Sequence, residues 1–196
     1  MLAAVILAAG ESRRMGFPKA LLDCGGRTFL EQLLSVTCHP RVGWQRVVLG
    51  AHAAEIQQRL KLPADLIVLN PDWGRGQLSS IRAALKALEP LPTEGILVAP
   101  VDHPLVRAAT VARLIEAFDA HPDAIIVPRY GGRRGHPVAF SRVFYTALYE
   151  APDDTGARAV LWNHPQSVIE EDIDDPGVVA DIDDPEAYAR WLKRMP

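Results

Sequence analysis

Three cations, Arg13, Arg14 and Lys19, follow a run of very small residues near the start of the chain, in Leu7-Ala8-Ala9-Gly10-Glu11-Ser12-Arg13-Arg14-Met15-Gly16-Phe17-Pro18-Lys19. Ala8, Ala9 and Gly10 let a flat base or a phosphate come close to the backbone. Arg14 and Lys19 suit a polyphosphate in complementary ways: a guanidinium as a bidentate fork, an ammonium as a mobile point charge. The spacing of Gly10 and Gly16 excludes a Walker A loop, which must end in Gly-Lys-Ser/Thr, and equally a Gly-x-Gly-x-x-Gly fingerprint. By composition alone the same string also reads as a solvated loop carrying ordinary surface cations. A second glycine-rich stretch, Gly74-Arg75-Gly76-Gln77-Leu78-Ser79-Ser80, precedes an apolar helical pattern. Free N–H groups and the dipole at such a helix start bind an anion or a base edge, and Gln77, Ser79 and Ser80 add side-chain donors and acceptors. A plain N-terminal cap is the other reading. As a dinucleotide fingerprint it fails, because Ser79 stands in place of the third glycine. Asp102, between Pro100 and Pro104, ends an apolar run. A carboxylate there faces the ligand side of a parallel sheet and is suited to Mg2+, which takes one or two carboxylates plus phosphate oxygens; a turn aspartate bonding its own backbone is the alternative.

These residues need a scaffold, and the hydrophobic pattern describes one. Short apolar runs alternate with amphipathic stretches, as in parallel strands joined by crossover helices. The pattern predicts strands at Ala3–Ala9, Arg46–Gly50, Leu66–Leu69, Gly95–Pro100 and Ala124–Pro128. Between them it predicts a helix opened by Thr28 with Glu31 as its capping-box partner, and helices at Ala53–Leu60, Leu78–Leu88 and Thr110–Phe118, the last capped by Thr110. Beyond residue 128 the character changes: a glycine- and arginine-rich hairpin-like loop at Arg129–Gly135, a strand at Pro137–Phe140, helices at Arg142–Tyr149 and Gly156–Asn163, a pair of short strands and a terminal helix from Pro185. Asp184 before Pro185 suits that helix's N-cap. The peptide Asp-Ile-Asp-Asp-Pro occurs twice, from Asp172 and from Asp181, and the first copy, ending Pro176-Gly177, reads as a turn. The expectation is one Rossmann-like three-layer α/β/α domain with a mostly parallel sheet over 1–196, its last third facing a cleft. In such a sheet, ligands sit beyond the carboxyl ends of the strands.

Composition narrows the classes. A chain of 196 residues with 48% hydrophobic and 23% charged residues can bury a core and is not a disordered segment. A net charge of −3 offers no basic field, so no nucleic-acid partner is expected. Cys24 and Cys38 make neither a disulfide framework nor a zinc signature. No apolar run approaches the ~20 residues that span a bilayer, so no membrane is expected. The opening Met1–Gly10 lacks a basic n-region and reads as a strand. A cytoplasmic location is the expectation.

The first loop resembles the nucleotidyltransferases of the MobA-like superfamily, whose signature is Leu-Ala-(Ala/Gly)-Gly, a spacer, Arg-Met-Gly and a Lys three residues later; Arg14, Met15, Gly16 and Lys19 match without a gap. The resemblance continues through Asn70–Ile81, similar to the second nucleotide loop, and Pro100–Leu105, similar to the metal-aspartate segment. Gly135-His136-Pro137-Val138-Ala139-Phe140 and Asp154-Thr155-Gly156-Ala157-Arg158 most resemble molybdenum-cofactor cytidylyltransferases, and Asp181–Glu186 resembles the closing Asp-x-Asp-Thr-Pro-Glu. His103 departs from the Gln or Met frequent there in cytidylyl members and reads as an exposed loop histidine, a base or ribose contact being the alternative. The resemblance implies the nucleotide-diphospho-sugar transferase type of fold, with 1–128 binding the nucleotide and 129–196 binding the acceptor and closing the fold. It implies transfer of a nucleoside monophosphate, CMP from CTP in preference to GTP, onto a molybdopterin-type acceptor with release of pyrophosphate. Arg14, Lys19 and Asp102 would be catalytic; Leu7, Ala8, Ala9, Gly10, Gly76, Gln77, Ser79 and Ser80 would bind the nucleotide. His136 and Arg158 would bind the acceptor, though His136 also reads as a satisfied loop histidine. Asp102 and Asp183 would hold Mg2+, with Asp181 one pleat away as the other candidate. A molybdoenzyme or its chaperone would receive the product. Trp73 and Trp162 read as packing residues. A nucleotidyltransferase acting on a sugar or polyol phosphate, and a non-catalytic nucleotide-binding module, share the same first loop. A nicotinamide oxidoreductase is disfavoured for want of the fingerprint.

Overall fold

The computed structural model describes residues 1–193. Strand β1 (Leu2–Ala8) is buried at every position, as a strand covered on both faces must be. β2 (Val42–Leu49) and β4 (Gly95–Pro100) flank it in parallel, and β3 (Ile67–Leu69) continues the parallel sheet beyond β2. On the far side of β4 the sheet turns antiparallel through β7 (Val138–Ser141), which pairs with β5 (Ile125–Tyr130); β8 (Val168–Asp172) lies parallel on β5. The short β6 (Arg133–Arg134) pairs with the end of β5. Gly131 and Gly132, at φ 55° and 78°, make the two-residue turn between them, the conformation a tight hairpin of primed type requires.

Alternate residues of β1 feed two cores. Leu2 and Ile6 meet Leu30 and Leu33 of α1 (Phe29–Val36), Ile56 of α2 (Ala53–Leu60) and Leu114 and Phe118 of α4 (Ala108–Ala120). Ala3, Val5 and Leu7 meet Leu78, Ile81 and Leu85 of α3 (Gln77–Leu88), Leu148 of α5 (Tyr145–Glu150) and Val160 of α6 (Arg158–Asn163). The result is a mostly parallel sheet between two helical layers. Thr28 caps α1 through the expected reciprocal pair with Glu31, at 3.2 and 2.8 Å. Asp184 caps α7 (Pro185–Leu192) by accepting from Ala187 N at 2.8 Å. The order β3-β2-β1-β4 means that the chain steps outward from β1 to β3 and then jumps back across β1. The crevice at the carboxyl ends of β1 and β4 is therefore the topological switch point, where open α/β sheets bind ligands.

Several expectations are corrected. β2 begins four residues earlier than predicted, because Val42, Trp44 and Gln45 pair with β1, with Gly43 bulged out between them, while their side chains are only partly covered, so no apolar run marks them. α4 starts at Ala108; Thr110 lies inside its first turn, and the N-cap residue Arg107 makes no side-chain cap. Residues 142–144 form a 3-10 turn ahead of α5, and α6 begins only at Arg158. Of the expected last pair of strands, only β8 forms among the described residues. Past Asp172 the chain leaves the sheet edge, makes a 3-10 turn at Pro176–Val179 and runs to Asp183 without strand pairing. Asp181 and Asp183 thus share no strand face.

Candidate functional site

Ser12, at φ 54°, folds the loop after β1 back on itself, with its carbonyl accepting from Met15 N and Gly16 N at 3.0 Å each. Its hydroxyl accepts from Lys19 N at 3.3 Å. The fold-back sets Lys19 at the head of a 3-10 turn with its side chain only 12% exposed. The ammonium lies between two carboxylates far apart in sequence: it pairs with Asp183 and, at 3.3 Å, with Asp102. Arg14 reaches Asp183 from the solvent side at 2.6 Å. Burial alone would raise the Asp183 carboxyl, but hydrogen bonds and charge from Lys19 and Arg14 outweigh it and hold it below the usual carboxylate range. The two acidic segments are tied directly, since Ile182 N donates to Asp102 O at 2.8 Å. Asp102 Oδ1 is buried and has no hydrogen-bond partner.

These groups stand at one side of a cleft of about 330 Å³. Leu7, Ala8, Ala9 and Gly10 line it, as do Gly76, Gln77 and Ser80 from the start of α3. Gly76, at φ 97°, is the N-cap of α3, a backbone state that a side chain would strain. Ser79 is placed differently: its hydroxyl turns inward, donating to Asp72 O or Gly76 O and accepting from Asn70 Nδ2 at 2.9 Å. Asn70 also donates to Ser80 Oγ at 3.0 Å and accepts from Asp72 N at 3.0 Å. This buried amide, which organises the second loop, escaped sequence reasoning. The signal available was an Asn at the end of a strand, nine and ten residues before a serine pair. His52 and Trp73 also line the cleft. Trp73 is positioned by Gly50, where an added Cβ would overlap both Trp73 and the Ala9 carbonyl.

A second cavity of about 410 Å³ adjoins the first and shares Gln77 with it. His136 and Arg158 both line it, with Arg134 and the apolar Ile81, Val98, Val127, Phe140 and Leu161. His136 is aimed there by a break between β6 and β7 at Gly135–Pro137, where the His136–Pro137 peptide is cis and His136 N donates to Val178 O at 2.8 Å. Gly135 is obligatory in that break because a Cβ would overlap the Val178 carbonyl. Burial, then His103 and Arg158, push the His136 imidazole down to about 3, so it is neutral near pH 7. Two expectations change here. His103 is no exposed loop histidine: its side chain is 12% exposed, its Nδ1 is buried without a partner, and its ring lies 4.8 Å from that of His136. Trp162, expected to pack, is 65% exposed at the cavity's edge.

Among the described residues, no group of three or more His, Cys, Asp or Glu is poised to hold a metal. A Mg2+ ion needs fewer protein ligands, since phosphate oxygens and waters complete its shell. Asp102 and Asp183 both face Lys19, and Asp102 Oδ1 is left without a hydrogen-bond partner, which fits that requirement. Among the same residues, no helix is long and apolar enough to cross a membrane.

Residues 4–168 match the model of a family described as "MobA-like NTP transferase domain". The chain is 35% identical over 201 aligned positions to "Nicotine blue oxidoreductase" of Paenarthrobacter nicotinovorans, covering 96% of this chain and 95% of that protein. It is 27% identical to the molybdenum cofactor cytidylyltransferase of Escherichia coli, covering 97% and 95%. The crystal structure of Rv0371c from Mycobacterium tuberculosis superposes with a TM-score of 0.80 at 30% identity, covering 99% of both chains. A manganese complex of that protein superposes at 0.72 with 29% identity, again over 99% of both.

Proposed function

The chain belongs to the MobA-like NTP transferase family, with the nucleotide-diphospho-sugar transferase fold, and from that premise we propose that it is a Mg2+-dependent nucleotidyltransferase moving CMP from CTP onto a molybdopterin-type acceptor. One observation carries the reading: Lys19, Arg14, Asp102 and Asp183, drawn from three distant segments, converge at the switch-point cleft. Residues 1–128 supply the nucleotide site. The backbone of Leu7–Gly10 and the start of α3, with Gly76, Gln77 and Ser80, receive base and ribose. Arg14 and Lys19 take the triphosphate. The last third of the chain, with Gln77, Ile81, Val98 and Val127 from the first part, supplies the acceptor site, where Arg158 meets the acceptor phosphate and the neutral His136 offers one N–H and one lone pair to the acceptor's heteroatoms.

In the reaction, an acceptor phosphate oxygen attacks the α-phosphorus in line, the α–β P–O bond breaks and pyrophosphate leaves. A phosphate acceptor is already ionised near neutral pH, so no general base is required. Arg14 and Lys19 neutralise the charge that grows on the leaving group, the kind of fixed electrostatic stabilisation that dominates phosphoryl transfer. Asp102 and Asp183 would hold the ion, whose positive charge, when bound, offsets that of the triphosphate oxygens.

The second cavity joins an apolar wall of Ile81, Val98, Val127, Phe140 and Leu161 to polar groups from Arg134, His136 and Arg158, a combination that suits a flat, heteroatom-bearing ring system carrying a phosphate; a sugar or polyol phosphate is the acceptor class to compare in the same assay. A relative bearing an oxidoreductase name makes hydride or electron transfer the reading to test against; no dinucleotide fingerprint supports it in this chain. The test pairs CTP, GTP, ATP and UTP with and without Mg2+, read first as thermal shifts and then as pyrophosphate released on adding molybdopterin. CTP with Mg2+ is expected to raise the melting temperature by linkage and to release pyrophosphate only with acceptor. Binding without release leaves a nucleotide-binding module. A flat response to all four nucleotides refutes every nucleotide reading.

A further inference from the structure

We propose that Asp175 is a positioning residue: it pins the strap of residues 175–183 onto the loop after β4, so that Asp183 meets Lys19 beside Asp102. The proposal rests on the reading of Asp102 and Asp183 as the metal-binding pair. The Asp175 side chain is 3% exposed and accepts three hydrogen bonds. They come from Arg107 N at 2.9 Å, Thr110 Oγ1 at 2.5 Å and its own turn at Gly177 N, 2.9 Å. The first two satisfy the opening turn of α4, whose own N-cap residue provides no side-chain acceptor. A helix start left unsatisfied in a buried place is costly; here a carboxylate from the other end of the chain supplies the acceptor.

From that pin the strap crosses the site in a series of close contacts. Gly177 passes so close to Leu105 that a Cβ would overlap its carbonyl. Val178 is fully buried, and its carbonyl accepts from His136 N at 2.8 Å. Ile182 N donates to Asp102 O at 2.8 Å, and the next residue is Asp183. The strap thus touches both the Asp102 loop and the His136 break before it delivers its carboxylate. Arg14, 69% exposed, cannot fix Asp183 by itself, since exposed ion pairs hold little. The repeated peptide gains a meaning as well. Asp175 and Asp184 occupy the same place in the two copies of Asp-Ile-Asp-Asp-Pro, and each accepts from backbone at a helix start, α4 and α7 respectively. The two caps bracket the strap and fix both its ends.

The experiment compares wild type, Asp175→Asn and Thr110→Val. Asparagine turns a donor toward donors, and valine deletes one hydroxyl bond at nearly constant shape. Three quantities are read: amide exchange over 176–184, half-saturation by Mn2+ with CTP present, and CTP binding without metal. For Asp175→Asn we expect faster exchange in the strap and Mn2+ half-saturation raised by about 10–100-fold, the usual effect of removing a partner that orients a ligand. Thr110→Val shifts both in the same direction by less. CTP binding without metal stays at the wild-type value. A variant that melts earlier yet keeps the wild-type Mn2+ half-saturation overturns the proposal, because Asp175 then only stabilises α4. If Asp175→Asn does not fold, Thr110→Val decides by the same measurement. A wild-type protein that binds no Mn2+ refutes the reading of Asp102 and Asp183 instead, which separates the two failures.

Discussion

A histidine held neutral by burial must make folding depend on pH, and His136 lets the size of that effect be worked out. Its imidazole is pushed from 6.5 to about 3 by burial and by the neighbouring His103 and Arg158. Between those two values the unfolded chain binds a proton that the folded chain refuses. Stability therefore rises with pH across the window and is progressively lost as pH falls below the unfolded value. Each unit of pH inside the window is worth about 1.4 kcal/mol. Taking the protein from about pH 7.5 to about pH 5 should cost on the order of 2 kcal/mol through this one group. The assay is denaturant unfolding at both pH values for wild type and His136→Gln. The variant sits in the same cavity without a titrating ring, so its stability should fall by roughly 2 kcal/mol less than that of wild type over that interval. The comparison of slopes matters, not absolute stability, because groups remote from this cavity contribute equally to both proteins. Identical slopes would show that His136 is protonated freely in the folded state, and the argument for a neutral hydrogen-bonding group facing the acceptor would fail.

Other outcomes follow from the same geometry. Lys19→Ala should lower pyrophosphate release by about 10²–10³-fold at saturating nucleotide, the scale of losing one fixed charge at a developing anion; a near-wild-type turnover would remove the proposed mechanism. Ser79→Ala should cost about 1 kcal/mol in unfolding experiments while leaving nucleotide affinity intact, because its hydroxyl serves Asn70 and the loop carbonyls rather than the cleft. Trp162→Ala, at an exposed position, should change stability by less than about 0.5 kcal/mol yet raise KM for the acceptor without affecting nucleotide binding; an unchanged acceptor KM would return Trp162 to the role of a bystander.

The elements read most easily from sequence are those whose signals are local. β1 and β4 are apolar throughout and buried throughout, and the caps at Thr28 and Asp184 announce themselves within four residues. The cations of the first loop were legible for the same reason, lying just beyond an unmistakable strand. What stayed hidden depends on segments that meet only after folding. Nothing near His103 in sequence marks it for burial; the ring of His136, 33 positions later, covers it. Thr110 looked like a cap because it precedes an apolar run, but the acceptor that completes α4 comes from Asp175, 65 residues away. The two copies of Asp-Ile-Asp-Asp-Pro are locally almost indistinguishable. Only topology separates them: the first leaves the end of β8 and buries its Asp175 against the start of α4, whereas the second emerges over the switch point with Asp183 aimed at Lys19. The catalytic reading therefore rests less on any single motif than on a crossing. A carboxylate from the end of the chain meets a lysine from its beginning, and the intervening fold is what brings them within reach.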